Sequence, residues 1–186
     1  MQQPHFGFKT VTMENILETD PVVATMVRMN HETGEVREQD YGDWVRIVTG
    51  FDLDARVPIE VRKAFMFSRG ALCYAHWYYP ALTLGMNDML RVADFSASEA
   101  CKEREINLPV LSKRGKIRYS TFAENIAALA EARIIASSDV RLWNLIRDAR
   151  NHATHPAAQN IFGFPHARDT LKYVRDLINR LDWMPR

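Results

Sequence analysis

The stretch from Ile59 to Glu103 constrains this chain more than any other. Val61, Phe65, Leu72 and Tyr79 recur at near-helical spacing, while further apolar residues fill the remaining faces. A helix that is apolar nearly all round belongs in the centre of a fold, because no side of it is content in water. Pro58 suits the first turn of a helix, where its missing N–H costs nothing. Tyr79-Pro80 imposes a break, because proline disfavours helix at the residue before it. The pattern therefore predicts two central helices, the second over about Ala81–Glu103. Ala64–Met86 is rich in aromatics, but Ser68, Arg69, His76 and Pro80 interrupt it. A spanning helix needs about 20 mostly apolar residues without charge, so a buried helix hairpin is expected and no membrane segment.

Three more helices follow. Thr121 and Glu124 have capping-box spacing ahead of the stripe Phe122, Ile126, Leu129 and Ala132. Ser137-Ser138-Asp139 supplies cap residues for a helix from Val140 to about His152, which His155-Pro156 ends. The last helix runs over about Ala167–Leu181. Asn107–Lys116, with Pro109 and Gly115, reads as a loop. Residues 1–58 are far less regular: Thr12–Glu18 reads as a short helix and Met26–Val36 as a β-hairpin turning at His31-Glu32-Thr33-Gly34. The expected architecture is an all-α bundle of about five helices over residues 59–186, behind an irregular acidic segment over 1–58.

Composition excludes several function classes. The two cysteines, Cys73 and Cys101, cannot staple a secreted scaffold or build a four-cysteine zinc site. No glycine-rich phosphate loop is present, which argues against a nucleotide enzyme of either standard type. Met1–Gly7 has neither the basic start nor the apolar block of a signal peptide, so a cytoplasmic location is expected. The net charge is only +1 but uneven: residues 11–60 carry 11 acids and 4 bases, residues 102–118 carry 6 bases and 2 acids, and residues 141–186 carry 8 bases and 4 acids. That split allows an anionic partner on one face, and equally a solvated surface whose charges balance. It also suggests an acidic N-terminal segment lying over a basic site.

The chemistry concentrates in Val140–His155. On a helical wheel, Leu142, Leu145, Ile146, Ala149 and Ala153 fall together as an expected core face, and Asn144, Arg147, Asn151 and His155 fall on roughly the opposite side. Arg150 lies between the faces, beside Trp143. Amides, guanidiniums and an imidazole are groups that recognise or act on something, unlike the Lys and Glu of an ordinary exposed helix back.

In the string Ile146-Arg147-Asp148-Ala149-Arg150-Asn151-His152-Ala153-Thr154-His155-Pro156 the chain resembles the HEPN superfamily, the higher-eukaryote and prokaryote nucleotide-binding domains. Their motif is an arginine, then a polar residue that is often asparagine, then a histidine a few residues on, at the end of a late helix in a bundle. Arg150, Asn151 and His155 match it with four residues between Arg and His. The resemblance covers roughly residues 59–182. It implies a homodimer joined through the motif helix and, in catalytic members, a metal-independent endoribonuclease without cofactor, of the toxin or phage-defence kind, with RNA as substrate and an antitoxin or other protein as partner. Silent members bind a protein or nucleotide instead. A histidine can take the proton of a ribose 2′-hydroxyl or give one to the leaving 5′-oxygen, and an arginine can hold the phosphate through two parallel hydrogen bonds. The resemblance thus assigns Arg150 to the phosphate, His155 to acid/base work and Asn151 to support, with Arg147 and Asn144 as substrate contacts.

The same residues admit structural readings. Arg150 would pair with Asp148 or Asp169, and His155 would cap the last carbonyls of its helix. His152 and His155 lack the third ligand that a zinc site needs, so no metal is expected. The resemblance also implies that Asp88 or Arg91 would support the site from the earlier helix, whereas the structural reading has them simply pair with each other at i, i+3. The aromatic run Tyr74 to Tyr79 suits packing better than base stacking.

Overall fold

The computed structural model describes residues 9–29, 32–38, 40–111, 117–153 and 163–183. Helix α1 spans Pro21–Ala24 and α2 Tyr41–Thr49, with a hairpin of strands β1 (Val27–Met29) and β2 (Val36–Glu38) between them. Then come α3 (Ile59–Cys73), a 3-10 turn (Tyr74–His76), α4 (Pro80–Glu103), strands β3 (Val110–Leu111) and β4 (Ile117–Arg118), α5 (Phe122–Glu131), α6 (Ser137–Ala153) and α7 (Phe164–Arg180). The protein is an all-α helical bundle, and its two short antiparallel ribbons do not pair with each other.

α4 is the axle. It packs against α3, α5, α6 and α7, and twelve of its 24 residues are buried. The α3–α4 hairpin closes unusually tightly at Gly85, where a Cβ would stand 2.7 Å from Leu72 Cδ2 and 3.0 Å from the Leu72 amide nitrogen. Only glycine fits against that backbone, so Gly85 sets the depth at which α3 seats on α4. The polar bond of the same contact joins Ser68, which is fully buried, to Asp88 Oδ2 at 2.5 Å. Among the described residues no helix is long and apolar enough to cross a membrane. The aromatic-rich stretch is split between α3, the turn and α4.

The expected capping box is present: Thr121 Oγ1 accepts from the Glu124 amide at 3.3 Å, and Glu124 Oε2 accepts from the Thr121 amide at 2.8 Å. Together with the Arg118 guanidinium, these bonds hold the exposed Glu124 carboxyl down at about 2, the Thr121 amide contributing most.

The N-terminal third departs from expectation in two places. Thr12–Glu18 forms turns rather than a helix. Its carbonyls curl round the Lys9 ammonium, which donates to Asn15 O at 2.9 Å and Glu18 O at 2.7 Å. A helix would have spent those carbonyls on its own ladder. The second departure is α2, which was not expected at all. Asp40 caps it by accepting from the Gly42 amide at 3.1 Å, and Trp44 and Val48, one turn apart, enter the core. Trp44 Nε1 donates to Leu72 O at 2.8 Å, tying α2 to the end of α3. Val23, Trp44, Val48, Leu53 and Val57 belong to the same contiguous core as the bundle. The expected hairpin is observed, with Val27 opposite Glu38 and Met29 opposite Val36, and Gly34 takes the left-handed φ of +71°. His31 of the expected turn lies outside the described residues.

Candidate functional site

α6 is the helix that carries the motif, and its burial differs from the wheel. Trp143 (1% exposed) and Ile146 (6%) face the core, whereas Leu145 is 55% exposed and Ala149 is also exposed. The helix is therefore rotated toward the side of its tryptophan. Burying Trp143 against Phe122, edge to face at 6.2 Å, removes more apolar surface from water than burying Leu145 would.

That rotation decides the surroundings of Arg150. Seven residues after Trp143, it lies on the same side of α6 and faces α4. Its Nη2 meets Asp94 Oδ2 at 3.0 Å, and its Nη1 donates to Asn151 Oδ1 at 3.2 Å. Its Nε is buried and has no partner among the described residues. Its acid is thus neither Asp148 nor Asp169 but Asp94. Burial raises the Asp94 pKa above the ordinary aspartate value, and the Arg150 charge works against that rise.

Asn151 is exposed in the last turn of α6. Arg147 donates from Nη1 to Asn144 Oδ1 at 2.6 Å and from Nη2 to Asp148 Oδ1 at 2.6 Å. Asn144 in turn donates to Val140 O at 2.9 Å. Along α6 these residues form a strip of two hydrogen-bonded pairs, Asn144 with Arg147 and Arg150 with Asn151, and the second pair is tied to α4 by the Arg150–Asp94 ion pair. His155 lies outside the described residues. The strip is close to neutral, with two arginines against Asp94 and Asp148, and an entering phosphate would have to take hydrogen bonds now made to carboxylates.

Asp88 and Arg91 do not pair with each other. Asp88 turns to Ser68, and Arg91 is exposed with no ion pair or hydrogen bond among the described residues. Asp94 is the neighbour of the strip missed from sequence. A signal for it existed: an acid between the buried Val92, Ala93, Ser96 and Ala97 calls for a cation from a packed neighbour. Within the acidic N-terminal segment, Asp20 docks at the turn between α3 and α4, where it accepts from the Tyr79 amide at 2.9 Å, roughly 22 Å along α4 from Asp94 at 1.5 Å per residue.

Burial pushes both thiols up, Cys101 to about 11, so neither is a thiolate near neutrality. Among the described residues no three His, Cys, Asp or Glu side chains group closely enough to hold a metal ion. In the aromatic run, Tyr79 is buried, and Trp77 packs on Tyr41 with ring centres 4.5 Å apart.

The Arg150–Asp94 pair makes a pH-dependent prediction. Arg150→Met leaves a half-buried Asp94 without its cation, so its pKa rises further. A carboxyl raised by folding contributes stability that is present at low pH and lost as the pH climbs through its folded value. The variant's deficit against the wild type is therefore expected to be largest at pH 7 and to shrink below about pH 4, where the carboxyl is protonated in both proteins. Urea midpoints at the two pH values read this directly, and an equal deficit at both would assign Arg150 a purely packing role.

Compared with family models, curated proteins and solved structures, the chain matches none of them.

Proposed function

We propose that this chain is a HEPN-like, metal-independent endoribonuclease of the toxin or phage-defence kind, working as a homodimer. Arg150 holds the scissile phosphate, His155 moves the protons, Asn151 supports them, and Arg147 and Asn144 touch the neighbouring RNA. The observation that carries this reading is the strip on α6. Its polar side chains form two hydrogen-bonded pairs, Asn144 with Arg147 and Arg150 with Asn151, and Arg150 is held in a fixed orientation by Asp94 at 3.0 Å, with its side chain still 35% exposed. Fixed donors stabilise charge that develops in a transition state without having to reorganise. In the reaction the 2′-hydroxyl loses its proton to a base and its oxygen bonds to the adjacent phosphorus. The 5′-oxygen then departs with a proton from an acid, leaving a cyclic phosphate and a 5′-hydroxyl.

One observation favours a second reading. Both arginines of the strip are paired with carboxylates, Arg147 with Asp148 and Arg150 with Asp94. A catalytically silent module that binds a protein partner or nucleotide would tolerate that arrangement, whereas a nuclease must break at least one pair on binding substrate.

The discriminating experiment is cleavage of total cellular RNA in excess EDTA by the wild type, His155→Ala and Arg150→Ala. The expected result is cutting by the wild type alone, with 5′-hydroxyl ends. The loss expected for either variant is on the order of 10²-fold or more, as for removal of an acid/base group or a transition-state charge partner. No cutting by the folded wild type would move the assignment to the binding module, and equal cutting by all three would mean a contaminant.

A further inference from the structure

α4 buries the sides that meet α3, α5, α6 and α7 and leaves one side open. Leu84 (61% exposed), Arg91 (exposed) and Phe95 (36%) lie on that open side, with Asp88 half-buried at its border with α3. Stepping about 100° per residue, these four positions fall within about 60° of one another. Single exposed apolar residues are ordinary. What is unusual here is the order of chemical types along the stripe: apolar, acidic, basic, apolar, at spacings of 4, 3 and 4 residues. The part of this side from Leu84 to Phe95, which the exposed Lys102 continues, is symmetric about a point between Met89 and Leu90.

A two-fold interface demands that if residue i touches j, then j touches i. Laid antiparallel on a copy of itself about that point, the stripe sets Leu84 against Phe95 and Asp88 against Arg91, each contact occurring twice. Centring the axis on Arg91 instead would bring the two arginines together and set Asp88 against Asp94, so charge selects one register. Within one chain Asp88 uses Oδ2 for Ser68, which leaves Oδ1 for a cation. Arg91 has no partner among the described residues. On α3, Arg69 reaches toward α2, donating to Phe51 O at 2.6 Å, which leaves Phe67 on the other side, 76% exposed beside Ser68. It widens the apolar surface on which a second copy would rest.

We infer that the open side of α4 is a self-association surface, occupied by α4 of a second copy running antiparallel with its two-fold axis between Met89 and Leu90. The resemblance assigns the self-contact to the motif helix, whereas this pattern assigns it to α4. The inference does not rest on ribonuclease activity.

Sedimentation equilibrium of the full chain tests it. The wild type is expected at twice the chain mass of 21.5 kDa. Arg91→Asp sets two acids together twice, and Leu84→Glu puts charge against Phe95. Each is expected to raise the dissociation constant roughly tenfold or more, while Arg91→Lys keeps the dimer. Leu145→Glu on α6 is expected to change nothing. All these side chains are exposed, and circular dichroism checks that each variant is folded.

A second measurement reads the register. In a Cys73→Ser background, Leu84→Cys with Phe95→Cys is expected to form a disulfide-linked dimer on oxidation. Leu84→Cys alone is not, because the two copies of position 84 stand about 16 Å apart along the helix. A monomeric wild type, a dimer indifferent to Arg91→Asp and Leu84→Glu, a dimer broken by Leu145→Glu, or cross-linking by Leu84→Cys alone would each overturn the inference.

Discussion

Trp143→Ala is expected to destabilise the protein by about 3–5 kcal/mol, the range for emptying a buried large aromatic site. Trp143 is 1% exposed and heads the fully buried side chains by volume. It lies between α5, through its contact with Phe122, and the α4 side of α6. The small buried residues of α4, Ala93, Ala97 and Ala100, are too short to fill the space. Against a total stability of about 5–15 kcal/mol, such a loss removes a large share of the folded margin. It should lower the melting midpoint by roughly 10 °C or more in a chain of this length. Trp143→Phe keeps most of the apolar contact and is expected to cost far less. Urea unfolding of both variants checks this. A loss below 1 kcal/mol for alanine would mean that α6 is not seated through Trp143, and the rotation that brings Arg150 to Asp94 would lose its cause.

Asp20→Ala should produce the second large effect, confined to one end of the molecule. Asp20 is completely buried, and its carboxylate accepts from the amides of Val22 at 3.0 Å, Tyr79 at 2.9 Å and Lys9 at 3.4 Å. Its own amide donates to His76 O at 2.9 Å. One side chain thus caps α1, holds the first described residues and ties both to the turn between α3 and α4. Alanine strands these donors at about 1–3 kcal/mol for each that water cannot reach, so a total near 3 kcal/mol is expected. Because segment 9–20 is held mainly by such bonds and not by core side chains, the loss should appear as local opening. The expected readouts are lost amide-exchange protection at Val22 and Tyr79 and early proteolysis before Asp20, with α4 and α7 still protected. Full protection at Tyr79 would show that the carboxylate is dispensable. Asp20→Asn keeps an acceptor oxygen and should fall between the two.

Much of the bundle was legible in the sequence because the signals that make helices are local. The Thr121–Glu124 box, Pro80 in the first turn of α4 and the 3.6-residue stripes of α5 and α7 each act within a few residues, and each element formed where those signals lie. α2 escaped notice for the same reason in reverse. Its nine residues carry Gly42 in the first turn and the β-branched run Val45, Ile47, Val48 and Thr49, which local propensity reads against helix. The burial of Trp44 and Val48 in the core, together with the Asp40 cap, makes it one. Thr12–Glu18 erred in the other direction, since a helical spacing there yields to the carbonyls gathered by Lys9.

The candidate site divides along the same line. Sequence alone determined that Asn144, Arg147, Arg150 and Asn151 share one helix, and that the helix packs in an all-α bundle, because periodicity and caps need nothing beyond the helix itself. It did not determine which side of that helix turns inward. Two apolar stripes compete on α6, one through Leu142, Leu145 and Ala149 and the other through Trp143 and Ile146. The choice follows from which buries more surface against α4 and α5. Nor could it name the acid that holds Arg150, since Asp94 stands 56 residues earlier and no spacing rule reaches that far. The approach of α6 to α4 decided it. An arginine turned toward a crowded, apolar helix is stable only where a carboxylate meets it, and Asp94 is the carboxylate at that contact.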